Sequence, residues 1–292
     1  MQDERPRLEA HSAVVAPFAA PDASPVFRNQ IIGLVRFSYI SRTGFKQQSA
    51  DADDRKALIY APDRMERRFR LFEQLTLPSL LAQSDRDFQT IFLVGRGFPA
   101  TALERLQALT KRLAGAQIVE QPPMPQYRAI RRGFDRLRDR DHTHLTSFRL
   151  DDDDAIDRDH IARLRRWTGQ LAGMLPADQP FVTGCNRGFF LKITPQGNSI
   201  VDVVEQLPLG IGLALTAPMV SRENIYRRNH RALPQYYSTF GDAQVPAFIR
   251  TIHVDNDSRP YCSGLSGRMN PEEVAQAIAA GFPFDIPHLM AL

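Results

Sequence analysis

Apolar and polar positions follow two periods along the chain, and between residues 29 and 175 these periods alternate. Short β-branched or apolar runs indicate strands, and each is followed by a stretch in which apolar residues recur every three to four positions, as in helices. The predicted strands are 29–40, 88–95, 116–121 and 144–150, and the predicted helices are 64–83, 100–115, 126–140 and 158–173. This alternation predicts an α/β fold with a doubly wound, largely parallel sheet.

The pattern changes after residue 175. Short β-like runs separated by glycine and proline indicate hairpins or a mixed sheet at 181–194, 198–207 and 210–218. Helical periodicity returns at 223–233 and 271–281. We therefore expect one domain over 29–292, built from two halves, 29–175 and 176–292.

Three stretches depart from these periods. Residues 1–28 hold four prolines among alanine and charged residues, which predicts a flexible tail. Residues 41–58 are polar and predict a loop. Pro78 lies inside the predicted helix 64–83 and should kink or interrupt it, because proline has no backbone N–H to donate.

Composition narrows the class of protein. The chain has 292 residues, of which 43% are apolar and 24% charged, a normal globular balance. Its net charge is +4, and only four of its 37 basic residues are lysine. Acidic residues are spread among the arginines and no basic block is interleaved with aromatic residues, which disfavours nucleic acid as a partner.

Two sequence features bear on the compartment. The only cysteines, Cys185 and Cys262, have neither C-x-x-C pairing nor metal-site spacing, which favours a reduced, cytoplasmic compartment. The longest apolar stretch, 207–220, is short and rich in glycine and proline, so we expect no membrane-spanning helix. Peripheral contact with the inner membrane through basic residues stays open.

A run of four aspartates, Asp151 to Asp154, follows the last predicted strand of the first half. Ligands bind at the carboxyl ends of strands in parallel α/β sheets, so the run has the position of a site. Extended backbone would send Asp151 and Asp153 to one side and Asp152 and Asp154 to the other. Like charges about 6 Å apart repel by roughly 3 kcal/mol at an effective dielectric of about 20, so water, arginine or a divalent cation must offset them.

The alternative is a solvated loop in which Asp154 or Asp157 caps the helix that starts near residue 158. The preceding apolar strand and its place in the α/β alternation favour a binding site. Carboxylate oxygens would select Mg²⁺ or Mn²⁺, which usually bind one or two carboxylates together with substrate phosphates.

The segment RLDDDDAI (149–156) resembles the DxD element that follows a buried strand in GT-A glycosyltransferases. Within that superfamily, four segments together resemble the bacterial putative rhamnosyltransferase family, which is glycosyltransferase family 2-like: VRFSYI (35–40), TLPSLLAQ (76–83), FRLDDDDAI (148–156) and IRTIHVDNDS (249–258). The resemblance covers about residues 30–260. It implies a GT-A, Rossmann-like fold with a mixed, mostly parallel sheet flanked by helices, in which 29–175 binds a nucleotide-sugar and 176–292 the acceptor.

The resemblance also implies roles for individual residues. The donor-binding set would be Arg36, Phe37, Ser38, Arg128, Arg132, Asp151 and Asp152. The metal-binding set would be Asp151, Asp153 and His253, with Mn²⁺ or Mg²⁺ on the donor diphosphate. The open alternatives are a solvated helix face for Arg128 and Arg132, a surface salt bridge for Arg36 and a structural role for His253.

A general base for the acceptor hydroxyl is needed if transfer inverts the sugar's configuration. GT-A enzymes usually take this base from an acidic residue late in the fold, and Asp242 in STFGDAQVP is the candidate here. Asp202, Glu205 and Asp255 are the alternatives.

The leading hypothesis is a cytoplasmic, metal-dependent glycosyltransferase that moves a sugar, rhamnose by the family resemblance, from a dTDP- or UDP-sugar to a glycan or glycolipid. A metal-dependent nucleotidyl- or phosphotransferase would use the same carboxylates, but the chain has no G-x-x-x-x-G-K-[ST] phosphate loop. A non-catalytic nucleotide-sugar-binding module is the third hypothesis.

Overall fold

Two sheets meet at the aspartate run in this computed structural model, which describes residues 26–41, 52–256 and 261–292. Residues 1–25 of the predicted tail lie outside the described residues. The strands are β1 Asn29–Arg36, β2 Gln89–Gly95, β3 Ala116–Gln121, β4 His144–Asp151, β5 Ala155–Ile156, β6 Phe181–Cys185, β7 Arg187–Lys192, β8 Ser199–Val204, β9 Ala214–Pro218, β10 Ser238–Asp242, β11 Phe248–Ile252 and β12 Leu265–Ser266.

The helices flank these sheets. They are α1 Ala52–Ile59, α2 Pro62–Leu71, α3 Leu77–Leu81, α4 Ala100–Thr110, α5 Gln126–Leu137, α6 His160–Ala172, α7 Pro271–Gly281 and α8 Ile286–Met290. None of the helices in the described ranges is long and apolar enough to cross a bilayer.

The larger sheet has the order β10-β6-β9-β4-β1-β2-β3 among the described residues. Its strands are parallel except β9, which runs antiparallel to both β4 and β6. β1 and β4 pair along their whole length, so that Arg36 lies opposite Asp151. The carboxyl ends of β1, β2 and β4 therefore share one edge, as predicted, and the mixed, mostly parallel sheet flanked by helices is confirmed.

The smaller sheet has the order β12-β8-β7-β11-β5. β5 begins immediately after the aspartates and pairs antiparallel with β11, while β7 follows β6 after the single residue Asn186. Strands from both predicted halves thus pair within each sheet. This connection brings β11, and His253 after it, to the aspartates.

Side-chain alternation along β1 builds a core on each face of the larger sheet. Ile31 and Val35 pack into one cluster, and Ile32 and Leu34 into another on the face of α5. Gly33 is required between them, because a Cβ there would lie 2.2 Å from the ring of Phe148 on β4. The two layers hold the strand ends in fixed register.

The structure corrects two predicted boundaries near the first strand. β1 ends at Arg36, not at residue 40, because Ser38 has a left-handed backbone with φ 50°. The predicted loop 41–58 contains most of α1, whose polar, largely exposed sequence carries no apolar period to reveal a helix. Residues 42–51 lie outside the described residues.

Pro78 does not interrupt its helix. α2 continues through a π-helical turn at Phe72–Thr76 into α3, and the N–H of Leu77 donates to the carbonyl of Phe72. The carbonyl of Gln74 would normally receive the N–H of residue 78. It accepts a bond from His288 Nε2 in α8 instead, at 2.8 Å.

The predicted helix 223–233 is also wrong. The chain there is irregular and forms a short 3₁₀ turn only at His230–Gln235. The sheet holds it in that form, because Ile225 N–H donates to Ser147 Oγ at 2.9 Å and Tyr226 Oη donates to the Leu34 carbonyl at 2.8 Å.

Candidate active site at the aspartate turn

The chain leaves β4 at Asp151 in a tight turn, closed by a bond from Asp154 N–H to the Asp151 carbonyl at 3.4 Å. The predicted extended alternation of the aspartates is therefore wrong. The solvated-loop alternative is wrong as well, because Asp152, Asp153 and Asp154 are 0%, 7% and 6% exposed. Asp157 pairs with Arg163 rather than capping α6.

Two arginines face Asp151 from the neighbouring strand and its own. Arg36 Nη2 lies 2.7 Å from Asp151 Oδ1, and Arg149 Nη2 lies 4.0 Å from Oδ2. Burial would raise the pKa of Asp151, but these guanidinium groups outweigh it and hold the pKa well below its usual range. Asp151 is therefore ionised and engaged on the protein side.

Asp152 forms a buried, bidentate ion pair with Arg68 of α2. Arg68 Nε donates to Oδ2 at 2.8 Å and Arg68 Nη2 donates to Oδ1. Burial raises the pKa of Asp152 to about 6, with Asp153 adding to the rise and Arg68 opposing it. Arg68 also feels the charges of Asp151 and Asp153, so it is the counter-charge at the centre of the turn.

Asp153 and Asp154 attach the turn to β11. Thr251 Oγ1 donates to the Asp153 carbonyl at 2.8 Å, and Thr251 N–H donates to Asp154 Oδ1 at 3.0 Å. Burial and the charges of Asp153 and Asp151 raise the pKa of Asp154 well above its usual range. The two bonds from one threonine fix the position of the Asp153 side chain.

His253 closes the site from the end of β11. Its Nε2 lies 3.0 Å from Asp153 Oδ2, and its Nδ1 accepts the N–H of Asp255 at 3.2 Å. Because Nδ1 accepts, the ring proton belongs on Nε2, which donates to Asp153. Asp255 is held in turn by both guanidinium nitrogens of Arg67, at 2.7 and 3.2 Å.

These contacts test whether the predicted metal set fits a divalent cation. Asp153 fits as a single carboxylate ligand, since Mg²⁺ takes its other ligands from phosphates and water. Asp151 is committed to Arg36, and a metal-bound histidine donates its second ring N–H, whereas His253 Nδ1 accepts one. No group of three metal-binding side chains occurs in the described ranges. The direct ligation predicted for Asp151 and His253 stays a prediction.

The predicted donor residues after β1 divide into two kinds. Phe37 is fully buried in an aromatic cluster with Phe69 and Phe72, so its side chain belongs to the core; the donor contact predicted for Phe37 is not available. Ser38 is buried, its hydroxyl has no partner among the described residues, and its backbone is left-handed. Strain combined with an unpaired buried hydroxyl is typical of a ligand site.

Arg128 and Arg132 are exposed on α5 and form no hydrogen bond or ion pair with the aspartate turn in the described structure. Their placement agrees with a solvated helix face. Their predicted role in donor binding stays a prediction.

Asp242 ends β10 at the same edge of the sheet as Asp151, three strands away, or about 14 Å. Its Oδ1 accepts the N–H of Gln244 at 2.7 Å. Asn186 links it to Glu205: Asn186 N–H donates to the Asp242 carbonyl, and Asn186 Nδ2 donates to the Glu205 carbonyl. The two candidate bases thus lie in one cluster.

The alternatives to Asp242 differ in how far their oxygens are engaged. Glu205 is 3% exposed, and its Oε1 has no partner among the described residues, while Oε2 accepts from Ser263. Asp202 is 2% exposed and accepts the N–H of Met269 at 3.0 Å, and Asp255 is paired with Arg67. Glu205 is therefore the alternative with an oxygen left for a ligand.

Sequence reasoning missed four positive or titratable residues at the site. They are Arg68, Arg149, His230 and Arg250. Arg149 could have been found, since it precedes Asp151 by two residues in one strand and so shares its face. Burial lowers the pKa of His230 to about 3, and the charges of Arg149 and Asp151 also act on it, which places His230 beside the turn.

Comparison with known proteins gives one family and several distant structures. A search of curated proteins found no match. Among solved structures, S. aureus TarS is 9% identical with a TM-score of 0.43, covering 77% of this chain; the chain spans 37% of the length of TarS. TarS residues 1–349 with UDP-GlcNAc gives the same identity and TM-score over 89% of this chain and 69% of that one.

A third structure is 4-diphosphocytidyl-2C-methyl-D-erythritol synthase from Anaerococcus prevotii, at 7% identity and a TM-score of 0.32, covering 86% of this chain and 96% of that one. The family result is stronger. The model described as "Putative rhamnosyl transferase" matches residues 30–264, which confirms the resemblance found in the sequence. The chain therefore belongs to the putative rhamnosyl transferase family and is a glycosyltransferase.

Proposed function

We propose that the protein transfers a sugar from a nucleoside-diphosphate donor to a glycan or glycolipid acceptor, with Mn²⁺ or Mg²⁺ bound at Asp153. The buried turn after β4 carries this proposal: four aspartates lie at the carboxyl end of a parallel strand, in a chain of a glycosyltransferase family. The donor diphosphate would lie over this turn.

The residues around the turn divide the work of donor binding. Asp153 would hold the cation, and a bound divalent cation would neutralise the charge that develops on the leaving nucleoside diphosphate. Arg68 and Arg36 compensate Asp152 and Asp151, so the turn keeps its shape whether or not a ligand is present. Ser38 would meet the nucleoside with its unpaired hydroxyl.

The acceptor hydroxyl would be deprotonated by Asp242 or by its neighbour Glu205. Both lie at the edge of the sheet that carries the aspartate turn, and both are linked through Asn186. Glu205 offers the oxygen without a partner, and Asp242 the more exposed carboxylate. A base in this cluster fits direct, inverting displacement at the sugar.

The sugar proposed is rhamnose, from dTDP-rhamnose. Its support is the description of the family to which the chain belongs. A UDP-sugar is the alternative donor, and the assay below separates the two.

The test is the release of nucleoside diphosphate from dTDP-rhamnose and from UDP-sugars, measured with and without Mn²⁺ or Mg²⁺. We expect turnover of one donor class with metal, and a loss of about 100-fold or more in Asp153→Asn, because one group that stabilises developing charge is removed. Asp141→Asn is the matched control, since Asp141 is an exposed carboxylate at the other edge of the sheet. Equal turnover in Asp153→Asn and wild type contradicts the proposal, and release of pyrophosphate instead indicates a nucleotidyltransferase.

A further inference from the structure

Three exposed arginines of one segment each stack on a tyrosine from a different place in the chain. The guanidinium carbon of Arg227 lies 5.5 Å from the ring centre of Tyr127, and that of Arg228 lies 4.3 Å from Tyr236. Arg231 lies 5.0 Å from the ring of Tyr261 and donates to its hydroxyl at 2.7 Å. We name residues 219–237, which carry these arginines, the arginine track.

The three charges are held in place without being neutralised. None of the three arginines forms an ion pair with a carboxylate within the described ranges, whereas Arg36, Arg68 and others in the turn do. Stacking on an aromatic ring restricts a guanidinium while leaving its N–H groups free to bind an anion. A surface that only kept the protein soluble would not need this arrangement.

The arginine track runs along the larger sheet towards the aspartate turn. Its start is tied to the beginning of β4, where Met219 N–H donates to the Thr143 carbonyl at 2.8 Å. Its middle is tied to Ser147 through Ile225. Tyr226 reaches Leu34 and stacks under Arg149, 5.1 Å from the ring, next to Asp151. The track therefore spans the length of β4, about 25 Å.

An open cleft of about 420 Å³ lies at the far end of the arginine track, beside Arg228. Its walls are polar and aromatic, formed by Gln179, Pro180, Ser221, Glu223, Arg228, Tyr236 and Tyr237. Tyr237 Oη donates to Glu223 Oε2 at 2.7 Å, which fixes one wall. A cleft with aromatic faces and hydrogen-bonding side chains suits a sugar unit.

We propose that the acceptor is an extended, phosphate-bearing glycan that lies along the arginine track, with its phosphates on Arg227, Arg228 and Arg231 and a distal sugar unit in the cleft. The inference rests on the proposed sugar transfer, because the track leads to the aspartate turn. Arginine binds phosphate through two parallel N–H groups, and successive phosphates on one chain bind cooperatively through their linkage.

The test uses inorganic polyphosphate as the probe, because it presents the repeated anionic groups alone. Binding of long-chain polyphosphate and of tripolyphosphate is measured on the full chain and on the triple variant Arg227→Gln, Arg228→Gln and Arg231→Gln. The matched control removes three exposed arginines elsewhere, Arg86→Gln, Arg112→Gln and Arg166→Gln, which also form no ion pair among the described residues. The triple Arg→Lys variant keeps the charge of the track.

The proposal predicts that long-chain polyphosphate binds more tightly than tripolyphosphate and that the track variant loses about 100-fold in affinity for it. The control variant should lose less than about threefold and the lysine variant should recover most of the affinity. An equal loss in track and control variants, or no loss in the track variant, overturns the proposal. If the glutamine variant does not fold, the lysine variant with each single substitution provides the comparison.

Two further arms separate related outcomes. Vesicles of phosphatidylcholine with and without phosphatidylglycerol show whether lipid headgroups bind instead: a variant that loses vesicle binding but keeps polyphosphate binding overturns the glycan assignment. Binding of UDP or dTDP should be unchanged in the track variant. Failure of nucleotide binding in the wild-type protein would reject the proposed function, whereas failure of polyphosphate binding alone rejects only the acceptor class.

Discussion

Each aspartate of the turn has its own partner, and this pairing explains how four carboxylates can be buried together. Arg68 carries the greatest weight, because its pair with Asp152 has side chains only 12% and 0% exposed. A buried ion pair contributes little compared with two apolar residues, but a single partner left alone in the interior is costly. The prediction follows from that asymmetry.

Arg68→Met alone should destabilise the fold by about 3 to 5 kcal/mol, because Asp152 is left charged and unpaired. The double variant Arg68→Met, Asp152→Leu should recover most of that loss. Chemical denaturation of the two single variants and the double variant measures the coupling. Additive losses would show that the two side chains do not act as a pair.

Ser38 combines a left-handed backbone with a buried hydroxyl that has no partner in the described structure. Ser38→Gly and Ser38→Ala both remove the hydroxyl, but only glycine accepts φ 50° without strain. We expect Ser38→Gly to be more stable than Ser38→Ala by about 1 kcal/mol, with both weakening nucleotide binding equally. Equal thermal stability of the pair, or unchanged nucleotide binding in both, would contradict this account.

At this scale the sequence predicts chemistry better than partners. The aspartates and His253 were found because they follow strands, and Arg36 because it lies opposite Asp151 in parallel register. Arg68 could not be found, since a helix surface carries many arginines and nothing in the spacing marks the one that turns inward. Phe37 was misassigned because alternation after a strand end does not show where the backbone turns.

The helix that contains Pro78 shows how two elements far apart in sequence depend on each other. Widening to a π-helical turn avoids the kink, but it leaves the Gln74 carbonyl to His288 of α8. His288 also stacks on Phe284, 5.4 Å between ring centres, so the ring itself contributes packing.

His288→Phe keeps that ring and removes the donor, and it should cost about 1 kcal/mol of unfolding free energy. In a Pro78→Ala background the residue 78 N–H can satisfy Gln74, so the cost of His288→Phe should fall towards zero. Urea denaturation of the four proteins of this cycle measures the coupling. The same cost in both backgrounds would show that the Gln74 carbonyl is not the point of contact.

Strongly periodic elements were predicted correctly, and the failures share one cause. The four parallel strands and α4 to α6 have apolar faces that match their burial. The track at 219–237 has helical spacing but is held by side-chain bonds to β1 and β4, so tertiary contacts override the local period. Such contacts join residues about 80 to 190 positions apart and leave no local signal.

Two buried histidines make the stability of the whole molecule sensitive to acid. Burial lowers the pKa of His160 to about 3, with Arg163 adding to the effect, and burial also lowers the pKa of His230 to about 3. Such a group stays neutral in the folded protein while the unfolded chain takes up a proton below about pH 6.5. Each histidine therefore reduces stability as pH falls from about 6.5 towards 3.

The raised pKa values of Asp152 and Asp154 act in the opposite direction, so the histidine effect is measured as a difference between proteins. Relative to pH 8, wild type at pH 5 should lose about 2 kcal/mol more than His160→Gln. Unfolding curves at both pH values give the difference directly. Parallel pH profiles for the two proteins would mean that His160 is protonated in the fold.

At the scale of the whole molecule, the central claim is that the aspartate turn binds a nucleoside diphosphate together with a divalent cation. The most direct measurement is the thermal stability of wild type, Asp153→Asn and Asp141→Asn with UDP or dTDP, each with and without Mn²⁺ or Mg²⁺. A nucleotide at a hundred times its Kd should add about 2.7 kcal/mol. We expect this gain for wild type and Asp141→Asn only when metal is present, and its loss in Asp153→Asn. No gain with any nucleotide and metal, or the same gain in Asp153→Asn, would contradict the account.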